Sequence, residues 1–294
     1  MYQPIQKRLR PSAAHGRAPG MDGLQFVDDE TYNDMPGERF TYLKEMGKSP
    51  YAYKVARDFE REDTEAFVVG RAFHVATLLP EEMGSRYAFT AHRKNTNAWK
   101  SDLAAAGSKD MLKLKEGELI DRMAMSARRH KLSGPMIDAA TCEVSGQWKD
   151  PATGLLCKVK VDGLSIKDGF FFDLKSTRSV VLREFAWNAH SYKYFHQLAF
   201  YKRGIKAITG HDLDPFLIAV EKSRSADVLV CPVTSSSMAK AYADIDGWLA
   251  ELAECKRTER YPGVCQQPIE LDMPASAYDD DDLSLDIGGE EHAI

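Results

Sequence analysis

Apolar residues recur every three or four positions through much of the chain and every second position in its middle. Ser49-Pro50 offers a cap and an N1 proline ahead of YAYKVARDFER, which predicts a helix there. TEAFVVGRAFHVATLL predicts a second helix over 64–79, stopped by Pro80. A third, over 109–131, carries Leu112, Ile120, Met123 and Ala127 on one stripe, and Gly134-Pro135 marks the next helix start. Residues 86–108 are polar and mixed. From Ala140 the period falls to two: CEVSGQW, LLCKVKVDGLSI and GFFFDLKS read as an antiparallel meander separated by Asp-Pro and Asp-Gly turns. A helix over 183–204, strands at PFLIAVEK and ADVLVCPV, and a helix over 234–258 complete the order. The class this predicts is α/β, with a mixed central β-sheet flanked by helices. No linker interrupts 28–272, so one domain is read there, between a flexible leader (1–27) and an acidic disordered tail (273–294).

The segment KVKVDGLSIKDGFFFDLKST (158–177) places two aspartates and a lysine inside a hairpin, although Asp is a poor strand former. Asp168-Gly169 favours a two-residue type I′ turn. With that turn Lys167 pairs with Phe170, and Asp162 falls opposite Lys175. Asp162, Asp173 and Lys175 then share one face, while Val159, Val161, Phe172 and Leu174 form a core face on the other.

Composition adds few constraints. The content of 44% hydrophobic residues suits a globular chain, and no apolar run reaches membrane-spanning length. The basic N-terminus lacks an apolar signal core, which points to the cytoplasm. Five scattered cysteines include no CxxC pair, so neither zinc nor an iron–sulfur cluster has local support. The net charge is −5, but removing the seven acids between Asp279 and Glu291 leaves +2, so any positive surface is local.

Opposed carboxylates suit a hard divalent cation such as Mg²⁺ or Mn²⁺, with a lysine beside it to position water or stabilise charge on a phosphate. The alternative is a cross-strand ion pair on a solvated face, worth about 0.5 kcal/mol. His74 lies on the apolar side of its predicted helix, as a core histidine or a ligand. Gln197 and Tyr201, four apart, share a helix face that Tyr194 extends. Glu143 could reach the same site or be an exposed strand residue. In RYAFTAHRKNTNAWK, basic and aromatic residues interleave, and Arg93, Lys94 and Trp99 suit DNA contact or a solvated loop.

In order, His74 in GRAFHVATLLP, Asp162 in VDG, Asp173-Leu174-Lys175 and Gln197-x-x-x-Tyr201 resemble the PD-(D/E)XK nuclease superfamily, with its restriction-endonuclease-like core. Within it the chain looks most like the RecE-type exonucleases of phages and prophages, which KSPYAYK, RKNTNAWK and CEVSGQWKDPATGLLCKVKVDG also resemble. The resemblance spans 28–207. It implies a metal site of His74, Asp162, Asp173 and the Leu174 backbone carbonyl, with Lys175 catalytic and Gln197 and Tyr201 supporting the site and the DNA end. It further implies 5′→3′ degradation of linear double-stranded DNA with Mg²⁺ as cofactor, leaving 3′ single strands for a RecT-like annealing partner, and a ring-like homo-oligomer. A RecB-like nuclease with an iron–sulfur cluster is disfavoured by the missing cysteine cluster, and a catalytically silent DNA-end-binding mediator by the four residues kept together. The acidic tail departs from this pattern. It reads either as a solubilising segment or as one that docks a basic partner. Truncation after Pro274 is expected to leave DNA affinity and its salt dependence unchanged; a shift in either would show that the tail competes for the site.

Overall fold

The computed structural model describes residues 16–17, 21–59, 63–268 and 270–272; the acidic tail and most of the leader lie outside them. Seven strands form one sheet in the order β1 (Gly16–Arg17), β2 (Leu24–Phe26), β5 (Thr141–Lys149), β6 (Leu156–Ser165), β7 (Phe170–Thr177), β8 (Asp214–Glu221), β9 (Val228–Pro232). Within it β7 and β8 run parallel and all other neighbours antiparallel, so the sheet is mixed as expected. The leader expected through residue 27 is too long, because Leu24–Phe26 pairs with β5 and Leu24 is buried.

The helices start where their caps dictate. Ser49 accepts from Ala52 N ahead of α3 (Pro50–Asp58), Thr64 from Phe67 N ahead of α4 (Glu65–Leu78), and Thr234 from Ser237 N ahead of α11 (Ser235–Thr258). Short helices α1 (Asp29–Asp34) and α2 (Phe40–Leu43) precede α3 along the chain, and α5 (Met83–Arg86) follows α4. The predicted helix over 109–131 begins later than read. Asp110–Lys113 is strand β4, parallel to β3 (Tyr87–Thr90), and α7 (Leu114–Arg129) starts where Glu116 accepts from Lys113 N at 2.7 Å. Leu112 matched the helical stripe but is buried on that strand. The polar stretch 86–108 holds α6 (Asn97–Ala106), capped by Thr96, and α8 (Ser133–Ala139) follows α7. The expected helix over 183–204 is two, α9 (Leu182–Ser191) and α10 (Tyr194–Thr209), broken at Lys193, whose φ is +63°.

Two cores sandwich the sheet. On one side Val144, Trp148, Val159, Val161 and Phe171 pack with Phe200 of α10 and Ile245 of α11; on the other, Phe172, Leu174 and Ile218 pack with Phe73 of α4, Met123 of α7 and Ile137 of α8. The expectation that Val159, Val161, Phe172 and Leu174 share one core face is therefore wrong. The hairpin departs from expectation in two ways, and only the second moves side chains between faces. The hairpin turn has four residues, with Ser165 opposite Phe170, because Ser165 and Asp168 bond each other (Oγ to Oδ2, 2.6 Å) and Gly169 takes a φ of +75°. The register moves by two relative to the tight turn, which preserves facing and sets Asp162 level with Asp173 instead of Lys175. Second, the alternation slips. Val144 belongs to the first core and Cys142 to the second, although strict alternation would put them on one side. Glu143 between them has a φ of +55°, and the β5–β6 ladder steps from Val144–Val161 to Cys142–Gly163 past Glu143 and Asp162.

Glycines set two close approaches. A methyl on Gly204 of α10 would fall 2.6 Å from the Trp148 ring, so its absence lets α10 lie close on β5. A methyl on Gly163 would fall 2.3 Å from the Phe172 ring. Gly70 of α4 makes no such close approach: an added Cβ meets only Ser176 Oγ, at 3.8 Å. Gly163→Ala should therefore cost about 1–3 kcal/mol in urea unfolding, whereas Gly70→Ala, inside a helix with room to spare, should add up to about 1 kcal/mol.

Candidate active site

The slip in β5 and β6 delivers the acids. Where alternation breaks, Glu143 and Asp162 leave the ladder side by side, and α4 brings His74 to them. Its Nδ1 lies 3.5 Å from Asp162 Oδ2, and ligand atoms of His74, Glu143 and Asp162 all fall within 4.8 Å of one another. Asp162 Oδ2 also accepts from Leu174 N at 2.7 Å, which ties β6 to β7 beside Gly163.

Asp173 and Lys175, two apart on β7, point to the α10 side. Lys175 Nζ is 2.5 Å from Asp173 Oδ2, donates to Gln197 Oε1 at 3.0 Å and sits 4.7 Å over the Tyr194 ring. Gln197 Nε2 donates to Asp173 Oδ1 at 2.9 Å and lies 3.1 Å from Tyr201 Oη. Gln197 thus holds the acid with one end of its amide and the lysine with the other. The close pair of Lys175 with Asp173 Oδ2 is off the direction of a hydrogen bond, and this buried oxygen accepts none.

Burial raises the cost of every charge here, and neighbours decide each sign. Burial lifts Asp173 to about 6 against the pull of Lys175, with Asp162 adding to the lift. Glu143 is also raised by burial, despite Lys160, with Asp162 contributing. Asp162 goes the other way: burial opposes its charge, but His74, Lys175 and the Leu174 N–H hold its carboxyl low. Burial would discharge His74 and Lys175, yet the acids beside each raise both.

Three carboxylates and an imidazole, one carboxylate oxygen lacking a hydrogen bond, fit a divalent cation. The tightest ligand group among the described residues is His74, Glu143 and Asp162. Glu143 therefore stands closer to this group than its reading as an accessory residue suggested, and Asp173 is held mainly by Lys175 and Gln197.

Sequence reasoning missed Lys160, read only as part of an alternating run. Its Nζ lies 3.1 Å from Glu143 Oε2 and also pairs with Asp29 of α1. In turn, α1 is fixed by Lys158, whose buried ammonium donates to the carbonyls of Tyr32, Asn33 and Met35 at 2.8, 3.0 and 2.6 Å. The fold does not bring Arg93, Lys94 and Trp99 to the acids. Lys94 pairs with Glu65 at 2.5 Å, nine residues before His74 on α4, which is about 13 Å along the axis. Lys94 and Trp99 line a surface cleft with Asp63, Glu65 and Glu116, poorly suited to a phosphate.

The family model for a PDDEXK-like domain of unknown function (DUF3799) matches residues 40–270, which include every residue of the site. The chain belongs to this family. No curated protein matches it. Among solved structures, the PDDEXK-like domain is similar to the crystal structure of a "Putative exonuclease" from Eubacterium rectale, with a TM-score of 0.61 and 15% identity over 86% of this chain and 97% of that one. That likeness supports the fold. A PDDEXK-like family together with this donor set supports nuclease chemistry dependent on a divalent ion.

Asp173 gives a pH test. Its carboxyl is raised from 3.8 to about 6, so the folded state favours the neutral form. The stability this contributes to the metal-free protein is whole below about pH 4 and lost as pH rises through 6, up to roughly 3 kcal/mol. Asp173→Asn carries no such cost. In EDTA, its Tm should match that of the native protein near pH 4 and exceed it by a margin that widens until about pH 6 and then levels off; Glu143 titrates in both and drops from the difference. A constant margin would show that Asp173 is not raised. Separately, Mn²⁺ should raise the native Tm, and Asp162→Asn should abolish that rise.

Proposed function

We propose that this PDDEXK-like domain is a metal-dependent exodeoxyribonuclease. It degrades linear double-stranded DNA from 5′ ends and leaves 3′ single strands for a RecT-like annealing protein. Mg²⁺, with Mn²⁺ as a substitute, is the cofactor, and a ring-like homo-oligomer enclosing DNA belongs to the same proposal. The observation that carries the reading is the clamp of Gln197 on Asp173 and Lys175 beside the His74–Glu143–Asp162 group, because it fixes a cation site and an ammonium in one buried place.

When bound, the metal supplies Lewis acidity at a phosphate oxygen and a water of lowered pKa. His74, Glu143 and Asp162 would hold it, with Asp173 Oδ2 and the Leu174 carbonyl in the roles that the resemblance implies. Lys175 is kept as an ammonium by Asp173 and Asp162, so it acts as a donor to the attacking water or the scissile phosphate and not as a base. Gln197 keeps that donor aimed, and Tyr201 backs the Gln197 amide. In-line attack on phosphorus with loss of the 3′ oxygen gives 5′-phosphate products.

Duplexes labelled at either the 5′ or the 3′ end, incubated with Mg²⁺ or EDTA, test this. Release should begin at 5′ ends, require the metal and spare closed circles. Lys175→Ala should lose at least about 10²-fold in kcat while keeping its fold, and Gln197→Ala roughly 10–100-fold. Binding without degradation would favour a silent end-binding mediator, and release from 3′ ends a RecB-like polarity. Full activity of Lys175→Ala would remove that residue from the mechanism.

A further inference from the structure

Lys175 rests on the ring of Tyr194, and Tyr194 in turn stacks on Tyr192, with centroids 5.7 Å apart and planes 23° from parallel. Tyr192 is 61% exposed. The two rings meet because Lys193 between them adopts φ +63°, ψ +34°, a left-handed conformation that costs a non-glycine residue about 1 kcal/mol or more. That break ends α9, starts α10 and turns an aromatic face outward next to the ammonium, where a continuous helix would have carried the tyrosines apart.

The surroundings suit a polyanion. Phe185 and Ala189 bury one face of α9, while Arg183, Trp187 and His190, spaced at i, i+4 and i+7, line the opposite one. Trp187 is 65% exposed and its ring meets His190 edge-on at 6.3 Å. From Arg178 to Lys193 the chain carries three basic residues and a single acid, Glu184. Exposed aromatics interleaved with cations are what a nucleic-acid strand needs: π-faces for bases and positive charge for the backbone.

We infer that Tyr192, seated on Tyr194, stacks on an unpaired nucleobase next to the phosphate held at Lys175, so that the site takes a frayed or single-stranded end. This rests on the nuclease reading for the identity of the ligand. It adds a base-binding subsite that positions the strand through π-stacking, with no readout of base identity. An occupant of different kind, a second copy of this chain, would use the same exposed rings through apolar burial, and the test separates the two.

The full-length protein in EDTA is titrated with oligonucleotide duplexes that are blunt or carry a short single-stranded extension of either polarity. The terminal base is 2-aminopurine, whose fluorescence falls on stacking. The native protein should bind one extended end more tightly than the blunt one and quench the probe. Tyr192→Ala should bind that end about tenfold or more weakly and leave the probe bright, and Tyr192→Phe should behave as the native protein. Equal affinity and equal quenching in native and Tyr192→Ala proteins would overturn the inference. So would sedimentation showing that Tyr192→Ala dissociates a native oligomer, because the rings would then be a contact between copies. Quenching without Mg²⁺-dependent cleavage would sink the nuclease reading and leave the stacking subsite standing. Cleavage by the native protein with Tyr192→Ala unaffected in both binding and quenching would do the reverse.

Discussion

Glu143, Asp162 and Asp173 stand in one sheet between two packed cores, and each carries a desolvation cost that nearby positive charges, with hydrogen bonds from Leu174 N and Gln197, offset. Lys160 answers Glu143, His74 answers Asp162 and Lys175 answers Asp173. The compensation is incomplete: two of the acids are still raised, and one Asp173 oxygen accepts no hydrogen bond. A divalent ion would supply the missing charge, so the arrangement that weakens the metal-free protein would also be what draws a metal to it. The rest of the site serves this balance. Gly163 admits the Phe172 ring beside the β6–β7 ladder, and Gly204 lets α10 press Gln197 onto the acid–lysine pair.

Much of this was legible in the residues. The Ser49-Pro50 pair announced α3 and Pro80 the end of α4, because caps and prolines act between near neighbours and leave a local signature. Asp173 and Lys175 share a side of the hairpin as read, since residues two apart on a regular strand keep one facing, whereas Asp162 sits where the alternation breaks. His74 sat on the buried side of its helix, and that helix does pack over the hairpin. The motif order carried the assignment to the superfamily, which periodicity alone could not have done.

What stayed hidden was decided at a distance. That both sides of the hairpin are covered depends on helices before and after it. The phase slip at Glu143 depends on a positive φ at a residue type that rarely adopts one. The break between α9 and α10 falls at Lys193, a good helix former overridden by its surroundings. Lys94 looked free for DNA, yet Glu65, some thirty residues earlier, takes it. Lys160 matters because α1 and Glu143 both reach it, and neither contact is visible in an alternating run.

The parallel pairing of β7 and β8 has a consequence in time. Parallel neighbours need a crossover, and here the crossover is α9 with α10, the helix that bears Gln197. While a ribosome is still extruding the later half, the acids and the lysine already exist as residues, but no amide grips them. Contacts of such long sequence separation form slowly. Cutting power thus arrives late in maturation, as a property of the finished polypeptide and not of its emerging pieces.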